Sequence, residues 1–97
     1  MLMFVFLVPK YGLKTNNQKQ TCGPFIGSAS ANTPDDCAIF CKDNSKCARF
    51  FFYWESEGTP NYRTKTTCKL VETCKEKVTM AYRGNSYSIP DRIEQTL

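Results

Sequence analysis

The densest hydrophobic run in the chain predicts a central β-strand. Residues 47–55 (CARFFFYWE) are rich in aromatic side chains, which favour the pleated surface of a sheet. Alternate residues of a strand point to opposite faces, and this divides the run into two sets. One set is Ala48, Phe50, Phe52 and Trp54, and the other is Arg49, Phe51 and Tyr53. Because both sets are largely apolar, we expect neighbours on both sides of this strand.

The polar segment before this strand predicts the start of a helix. Thr33 can accept a hydrogen bond from an early helix amide, as an N-cap residue does. Pro34 suits the first helical position, where its missing N–H costs nothing. Asp35 and Asp36 fall in the first turn and oppose the positive end of the helix dipole. We therefore expect a helix over residues 34–43.

The body of this helix carries two cysteines. Cys37 and Cys41 are four residues apart, which places them on one helical face. That face is expected to pack on the sheet. Asn44 is expected to end the helix, because asparagine tolerates the left-handed backbone common at helix C-termini.

Shorter alternating runs further along predict the rest of the sheet. Residues 67–73 (TCKLVET) are expected to form a second strand, with Cys68 and Leu70 pointing inward. Two further strands are expected at residues 78–82 and 87–89, with a turn between them at residues 83–85. One helix packed on a small antiparallel sheet gives an α+β fold class.

The remaining segments are polar and lack periodicity, which is typical of loops and linkers. They are a lead-in linker at 9–21, a loop at 23–32 with a short strand at Phe25 and Ile26, a long loop at 56–66, and a loose tail at 90–97. The predicted organisation is an N-terminal stretch and linker at 1–21, one domain at 22–89, and the tail.

Residues 1–8 (MLMFVFLV) are all apolar. A helix needs about 20 residues to span a bilayer, so this stretch is too short, and we expect no membrane span in the folded domain. Its length matches a signal-peptide core, but it lacks a basic n-region and a nearby small-residue cleavage site. A signal remnant or a gene-model fragment is favoured over a first strand of the domain.

The cysteine pattern indicates that this small domain is stabilised by disulfides. A chain of 97 residues has a high surface-to-volume ratio, so its core alone gives marginal stability. It contains six cysteines, an even number that indicates a disulfide framework formed in an oxidising compartment. A zinc site is the alternative, but the chain has no histidine and no CxxC pair. We therefore expect no metal and a secreted or extracellular location.

Charge and residue types argue against catalysis and against nucleic-acid binding. The net charge of +4 is not gathered into any cationic run, so no nucleic-acid arm is present. Without histidine, Ser-His and Cys-His nucleophile pairs are excluded. No glycine-rich phosphate loop is present, and Asp35 and Asp36 are better explained as helix-capping residues than as an acid–base pair. We expect neither an enzyme nor a bound cofactor.

The segment TPDDCAIFCKDNSKCARFFFYW, followed by CKL, resembles the PAN/apple family. In that family a helix carries C-x3-C, the next cysteine opens an aromatic strand, and a later strand carries C-x-L. The resemblance covers residues 22–89, and it implies the disulfides Cys37–Cys68 and Cys41–Cys47. Cys22 and Cys74 then remain. A terminal pair fits the apple version of the fold, although Cys74 follows Cys68 more closely than apple spacing has it.

The resemblance implies a recognition or adhesion module that binds a carbohydrate or an extracellular protein. The alternative is a small disulfide-rich inhibitor or toxin-like effector that blocks a partner protein. The chain is also compatible with a place in a longer, multi-domain protein. Loop 56–66 and the exposed side of the sheet are the expected binding surface. The candidate ligand-binding residues are Tyr62, Arg63, Lys65, Arg49, Tyr53 and Trp54, with Lys69 as a further cation.

Overall fold

The chain folds as one helix packed on an antiparallel sheet. The computed structural model describes residues 8–55, 64–90 and 92. The elements are β1 (Gly12–Ser30), α1 (Pro34–Asp43), β2 (Arg49–Trp54) and β3 (Thr66–Ser88). The three strands are ordered β1-β3-β2 in a single sheet. The α+β prediction is confirmed at this level, whereas the predictions for residues 1–7 fall outside the described residues.

Helix α1 begins and ends where its local sequence predicted. The Asp36 N–H donates to Thr33 Oγ1 at 3.2 Å, and Pro34 occupies the first turn. The prediction of a left-handed residue at the C-terminus is wrong, because Asn44 has φ −95° and ψ 110°. Its N–H still donates to the Cys41 carbonyl at 3.1 Å, and its Oδ1 accepts from the Lys46 N–H at 3.0 Å. The chain therefore leaves the helix through an extended residue that is held by a local side-chain turn.

Although the strand order is β1-β3-β2, strand β2 has a segment of β3 on each side and is therefore central, as its two apolar faces predicted. Phe50 is paired with Leu70 on one side and with Tyr87 on the other, so β2 lies between the two ends of β3. The two ends of β1 pair with the outer sides of these β3 segments, for example at Ser28–Lys69 and Leu13–Tyr87. Two segments of β1, two of β3 and one of β2 therefore lie side by side.

The middle parts of β1 and β3 pair with each other but not with β2, and they form a two-stranded ribbon. We call residues 19–24 and 72–83 the ribbon; in it Cys22 is paired with Lys77. Arg49 Nη1 lies 3.4 Å from the Cys22 sulfur, and Thr21 Oγ1 lies 3.0 Å from Ser86 Oγ. Arg49 lies on the β2 face opposite Phe50, so the ribbon crosses the sheet face that the helix leaves uncovered.

Three sequence-based predictions differ from this architecture. Residues 12–21, expected to be linker, form the first half of β1, and residues 23–30, expected to be loop, form its second half. The expected turn at residues 83–85 is absent, because β3 runs through Gly84 without a break. A Cβ on Gly84 would lie 2.5 Å from the Phe52 carbonyl oxygen and 2.7 Å from the Phe51 ring. This glycine allows a close approach of two strands and does not make a turn.

Three disulfides connect these elements. Cys37–Cys68 joins α1 to β3 with a Cα–Cα distance of 5.6 Å, and Cys41–Cys47 joins the end of α1 to the segment before β2 at 5.1 Å. Cys22–Cys74 closes the ribbon at 4.9 Å. Cys37–Cys68 and Cys41–Cys47 are the pairs that the resemblance implied, whereas the pairing of Cys22 with Cys74, which the sequence left open, is supplied by the structure. Among the described residues, no helix has the length and apolar character needed to cross a membrane.

The core on the helix side consists of the buried face of α1 and the inward-facing residues of β2 and β3. Phe50 and Phe52 are at its centre, and the Phe50 ring stacks on Tyr87 with a centroid distance of 5.1 Å. Phe51 is equally buried, although it points to the opposite face of β2. The sheet is therefore covered on both faces, by the helix on one and by the ribbon on the other.

Candidate functional site

A cleft lined by polar and charged residues lies where the ribbon leaves the first half of β1. Its volume is about 420 Å³. The lining side chains comprise three amides, three hydroxyls, two cations and one disulfide sulfur. They are Asn16, Gln18, Gln20, Thr15, Thr21, Ser86, Arg49, Lys77 and Cys22. We call this the ribbon cleft.

The rim of the ribbon cleft is built by an irregularity in β1. Asn17 has φ 51°, in the left-handed region that asparagine tolerates better than most residues. Its N–H donates to Asn85 Oδ1 at 2.8 Å, and its carbonyl accepts from Arg83 Nη1 at 2.9 Å. The pairing register of β1 shifts on both sides of Gln18. Such bulges bend a strand and redirect its side chains, which brings the amides of residues 16, 18 and 20 to the cleft.

The floor of the cleft is polar and internally bonded. Thr21 and Ser86 are buried, and their hydroxyls are 3.0 Å apart. The half-buried Arg49 places Nη1 3.4 Å from the Cys22 sulfur. Lys77 is the cross-strand partner of Cys22, and paired residues present their side chains on the same side of a ribbon. Arg49 and Lys77 therefore both lie beside Cys22.

The electrostatic character of the lining follows from its composition. The described residues of the lining include two cations, Arg49 and Lys77, and no carboxylate. Lys77 is exposed, whereas the half-buried position of Arg49 reduces the screening of its charge by solvent. The cleft can therefore offer hydrogen-bond donors and acceptors together with a positive charge.

The residues predicted from the sequence to bind a ligand lie in different parts of the structure. Arg49 lines the ribbon cleft. Lys65 lines a separate depression of about 320 Å³ on the helix side, together with Asp36 and Phe40. Tyr62 and Arg63 lie outside the described residues, as does most of loop 56–66.

The two aromatic candidates on β2 occupy different environments. Trp54 is buried in the core, 6.4 Å from the Phe52 ring centroid, and this burial removes it from the binding surface. Tyr53 is half-buried on the ribbon face. Its ring stacks on Phe51 at 5.8 Å and on Tyr82 at 6.4 Å, nearly parallel to the latter. The expected open face of the sheet is thus occupied by the ribbon and its aromatic contacts.

Sequence analysis missed the residues that make up most of the cleft. Lys77 had no local signal, and the amides of Asn16, Gln18 and Gln20 fell in the predicted linker. The available signal was the polar but β-compatible run TNNQKQT, in which alternate residues can share a face. Lys69, another candidate cation, lies over the Phe25 ring, 5.7 Å from its centroid, and not in the cleft.

Among the residues that the structure describes, no group of three or more His, Cys, Asp or Glu side chains is arranged to hold a metal ion. Comparison of the chain with family models, curated proteins and solved structures finds no match.

Proposed function

We propose that this chain is an extracellular recognition module that binds a carbohydrate in the ribbon cleft. The observation that carries the proposal is the lining of that cleft by amides, hydroxyls and cations. Carbohydrate hydroxyls both donate and accept hydrogen bonds, and asparagine and glutamine amides offer both partners. The volume of about 420 Å³ lies in the range of small-ligand sites in proteins.

The same lining supports binding without chemistry. General acid–base catalysis needs a titratable group with a pKa near the working pH, and histidine or a carboxylate usually supplies it. The part of the chain that the structure describes contributes neither a histidine nor a carboxylate to the lining of the ribbon cleft. Its one sulfur pair, Cys22–Cys74, is oxidised and offers no thiolate nucleophile.

The disulfides support the proposed location and family. Three disulfides in a small domain are typical of secreted and cell-surface proteins, where thiols become oxidised. The proposed relation to the PAN/apple family is supported by the disulfides that join the helix carrying Cys37 and Cys41 to the CKL strand and to the segment before the aromatic strand.

Screening the oxidised protein on an array of neutral and charged glycans tests the proposal. The matched variant is the double change Gln18→Ala and Gln20→Ala, which removes two of the three exposed amides of the cleft. Lys19→Ala is the control, because Lys19 is exposed on the same strand segment but does not line the cleft. We expect glycan binding by the wild type and the control, and loss of binding in the double variant.

Two outcomes would contradict the proposal. If the double variant binds glycans as the wild type does, the ribbon cleft is not the site. If the protein binds no glycan but captures a protein partner, a protein-binding module or an inhibitor describes the chain better.

A further inference from the structure

We propose that the Cys22–Cys74 disulfide is a site of thiol–disulfide exchange, at which a dithiol reductant opens this bond and leaves the other two closed. The proposal does not depend on carbohydrate binding. Its starting point is the unequal burial of the three disulfides. Cys74 is exposed and Cys22 is half-buried, whereas the four cysteines of the other two pairs have no solvent exposure. Exposed disulfides are the labile ones, because a thiolate reaches them without unfolding of the domain.

The same disulfide crosslinks the ribbon at a break in its pairing. The ladder is regular only from Gln20–Thr79 to Gly23–Glu76, and a bulge bounds it at each end. Beyond Gly23, two steps along β1 correspond to five steps along β3, and Cys74 lies in this bulge. Because bulges disrupt the ladder locally, a crosslink placed here holds strands that their hydrogen bonds hold less well. Opening the bond should therefore loosen the ribbon and, since Cys22 lines the ribbon cleft, change a wall of that cleft.

The groups around the bond favour attack on one of its two sulfurs. Arg49 Nη1 donates to the Cys22 sulfur over 3.4 Å, and the exposed Lys77 is the cross-strand partner of Cys22. A hydrogen-bond donor and a nearby cation stabilise a thiolate, and a stabilised thiolate is the better leaving group. We therefore assign Cys74 as the sulfur that is attacked and Cys22 as the sulfur that leaves.

The exchange takes place in two steps. One thiolate of the dithiol forms a bond to Cys74 Sγ, the Cys22–Cys74 bond breaks, and Cys22 Sγ leaves as a thiolate. The second thiolate of the dithiol then attacks the reductant's own sulfur in the mixed disulfide and releases Cys74. The dithiol is oxidised to a disulfide by loss of two electrons, which reduce Cys22 and Cys74. The two protons of the dithiol end on the Cys22 and Cys74 thiols.

Limited reduction followed by alkylation tests the proposal. The folded, oxidised protein is treated with dithiothreitol in the absence of denaturant, thiols are blocked with N-ethylmaleimide at intervals, and the peptides are mapped by mass spectrometry. We expect Cys22 and Cys74 to be labelled at least about tenfold faster than the other four cysteines, since local opening is cheaper than global unfolding. Equal labelling rates at all six cysteines would overturn the proposal, as would earlier labelling of Cys41 and Cys47.

Two single variants test the direction of attack. Lys77→Gln removes the cation beside Cys22, and labelling of Cys22 should become about two- to fivefold slower. Lys14→Gln is the matched control, because it makes the same change in net charge at an exposed position of β1 outside the ribbon. It should keep the wild-type rate. Equal rates in the two variants would overturn the assignment of Cys22 as the leaving group.

Hydrogen exchange measures the effect of the open bond on the ribbon. In the double variant Cys22→Ser and Cys74→Ser, ribbon amides should exchange about tenfold or more faster than in the wild type. Amides of α1 should keep their rates, because Cys37–Cys68 and Cys41–Cys47 still hold the helix. Unchanged ribbon amides, or equally faster exchange in α1, would overturn the inference that this bond controls the ribbon alone.

Discussion

At the residue scale, two side chains close to the ends of the described chain hold the helix in place. The Tyr11 hydroxyl donates to the Asp35 carboxylate, and its ring packs edge-on against Phe50 and Tyr87. At the other end of the helix, Arg92 donates to the carbonyls of Lys42, Cys41, Asn44 and Cys47. Both were expected to lie in loose polar segments.

Tyr11 gives the domain a pH-dependent contribution to stability. Burial, and then the hydrogen bond to Asp35, raise the pKa of Tyr11 well above its usual value. A raised folded pKa means that this stability is fully present below the unfolded pKa of about 10 and is lost as pH rises above it. Urea midpoints measured across alkaline pH should therefore fall more steeply in the wild type than in Tyr11→Phe. Tyr82→Phe, at an exposed position, is the control and should keep the wild-type slope.

Arg92 satisfies backbone carbonyls that a helix C-terminus leaves without partners. Its Nη1 lies 2.9 Å from the Cys41 carbonyl oxygen and 2.7 Å from that of Cys47. Hydrogen bonds from a charged donor contribute about 1.5–3 kcal/mol, so Arg92→Ala should lower the free energy of unfolding by about that amount. Arg92→Lys should recover only part of the loss, because an ammonium lacks the planar fork. An unchanged denaturant midpoint in Arg92→Ala would contradict the capping role.

At the element scale, β2 and the last segment of β3 approach each other closely at Gly84. Gly84 is buried in β3 beside β2, and Tyr53 Cβ would lie 2.7 Å from a Cβ at this position. Its neighbours there are backbone and rigid rings, which cannot move aside cheaply. The glycine therefore fixes the spacing between β2 and the last segment of β3.

Gly84→Ala should destabilise the domain by about 1–3 kcal/mol, the usual effect of overpacking a well-packed site. Gly12→Ala is the matched control, because nothing lies within 4 Å of a Cβ built at Gly12. Chemical denaturation of both variants gives the comparison. Equal midpoints for the two alanine variants would show that the strands can separate without penalty.

At the scale of the whole molecule, the sheet is a middle layer with a different cover on each face. The helix and two disulfides cover the face of Phe50 and Phe52. The ribbon and its own disulfide cover the face of Phe51, which has no solvent exposure. This arrangement explains why β2 is aromatic on both sides, and it places the cleft at the junction of ribbon and sheet.

The two-sided cover predicts that the two faces contribute equally to stability. Phe50→Ala and Phe51→Ala should each cost about 3–5 kcal/mol, the range for truncating a fully buried phenylalanine. Phe40→Ala is the control, because Phe40 is 39% exposed on the helix and should change stability little. Thermal or urea unfolding measures all three. If Phe51→Ala hardly changes the free energy of unfolding, the ribbon does not exclude water from the Phe51 face of the sheet.

The sequence by itself determined the elements that depend on neighbouring residues. The helix follows from Thr33, Pro34 and the two aspartates, whose capping effects act within one turn. The central strand follows from a run of aromatics with two apolar faces. For the candidate site, however, the sequence supplied only Arg49, and two of the three disulfides, Cys37–Cys68 and Cys41–Cys47, were implied by the family resemblance.

Only the tertiary structure decided the course of β1, the ribbon and the cleft. Residues 12–23 have little hydrophobic periodicity, and they become a strand because β3, more than 50 residues away, supplies their hydrogen-bond partners. Gly84 resembled a turn residue because its local chemistry suits a turn, yet the close approach of β2 determines its role. Arg49 and Lys77 meet beside Cys22 only after the ribbon has crossed the sheet. Such contacts join residues distant in sequence, and no local preference of the chain encodes them.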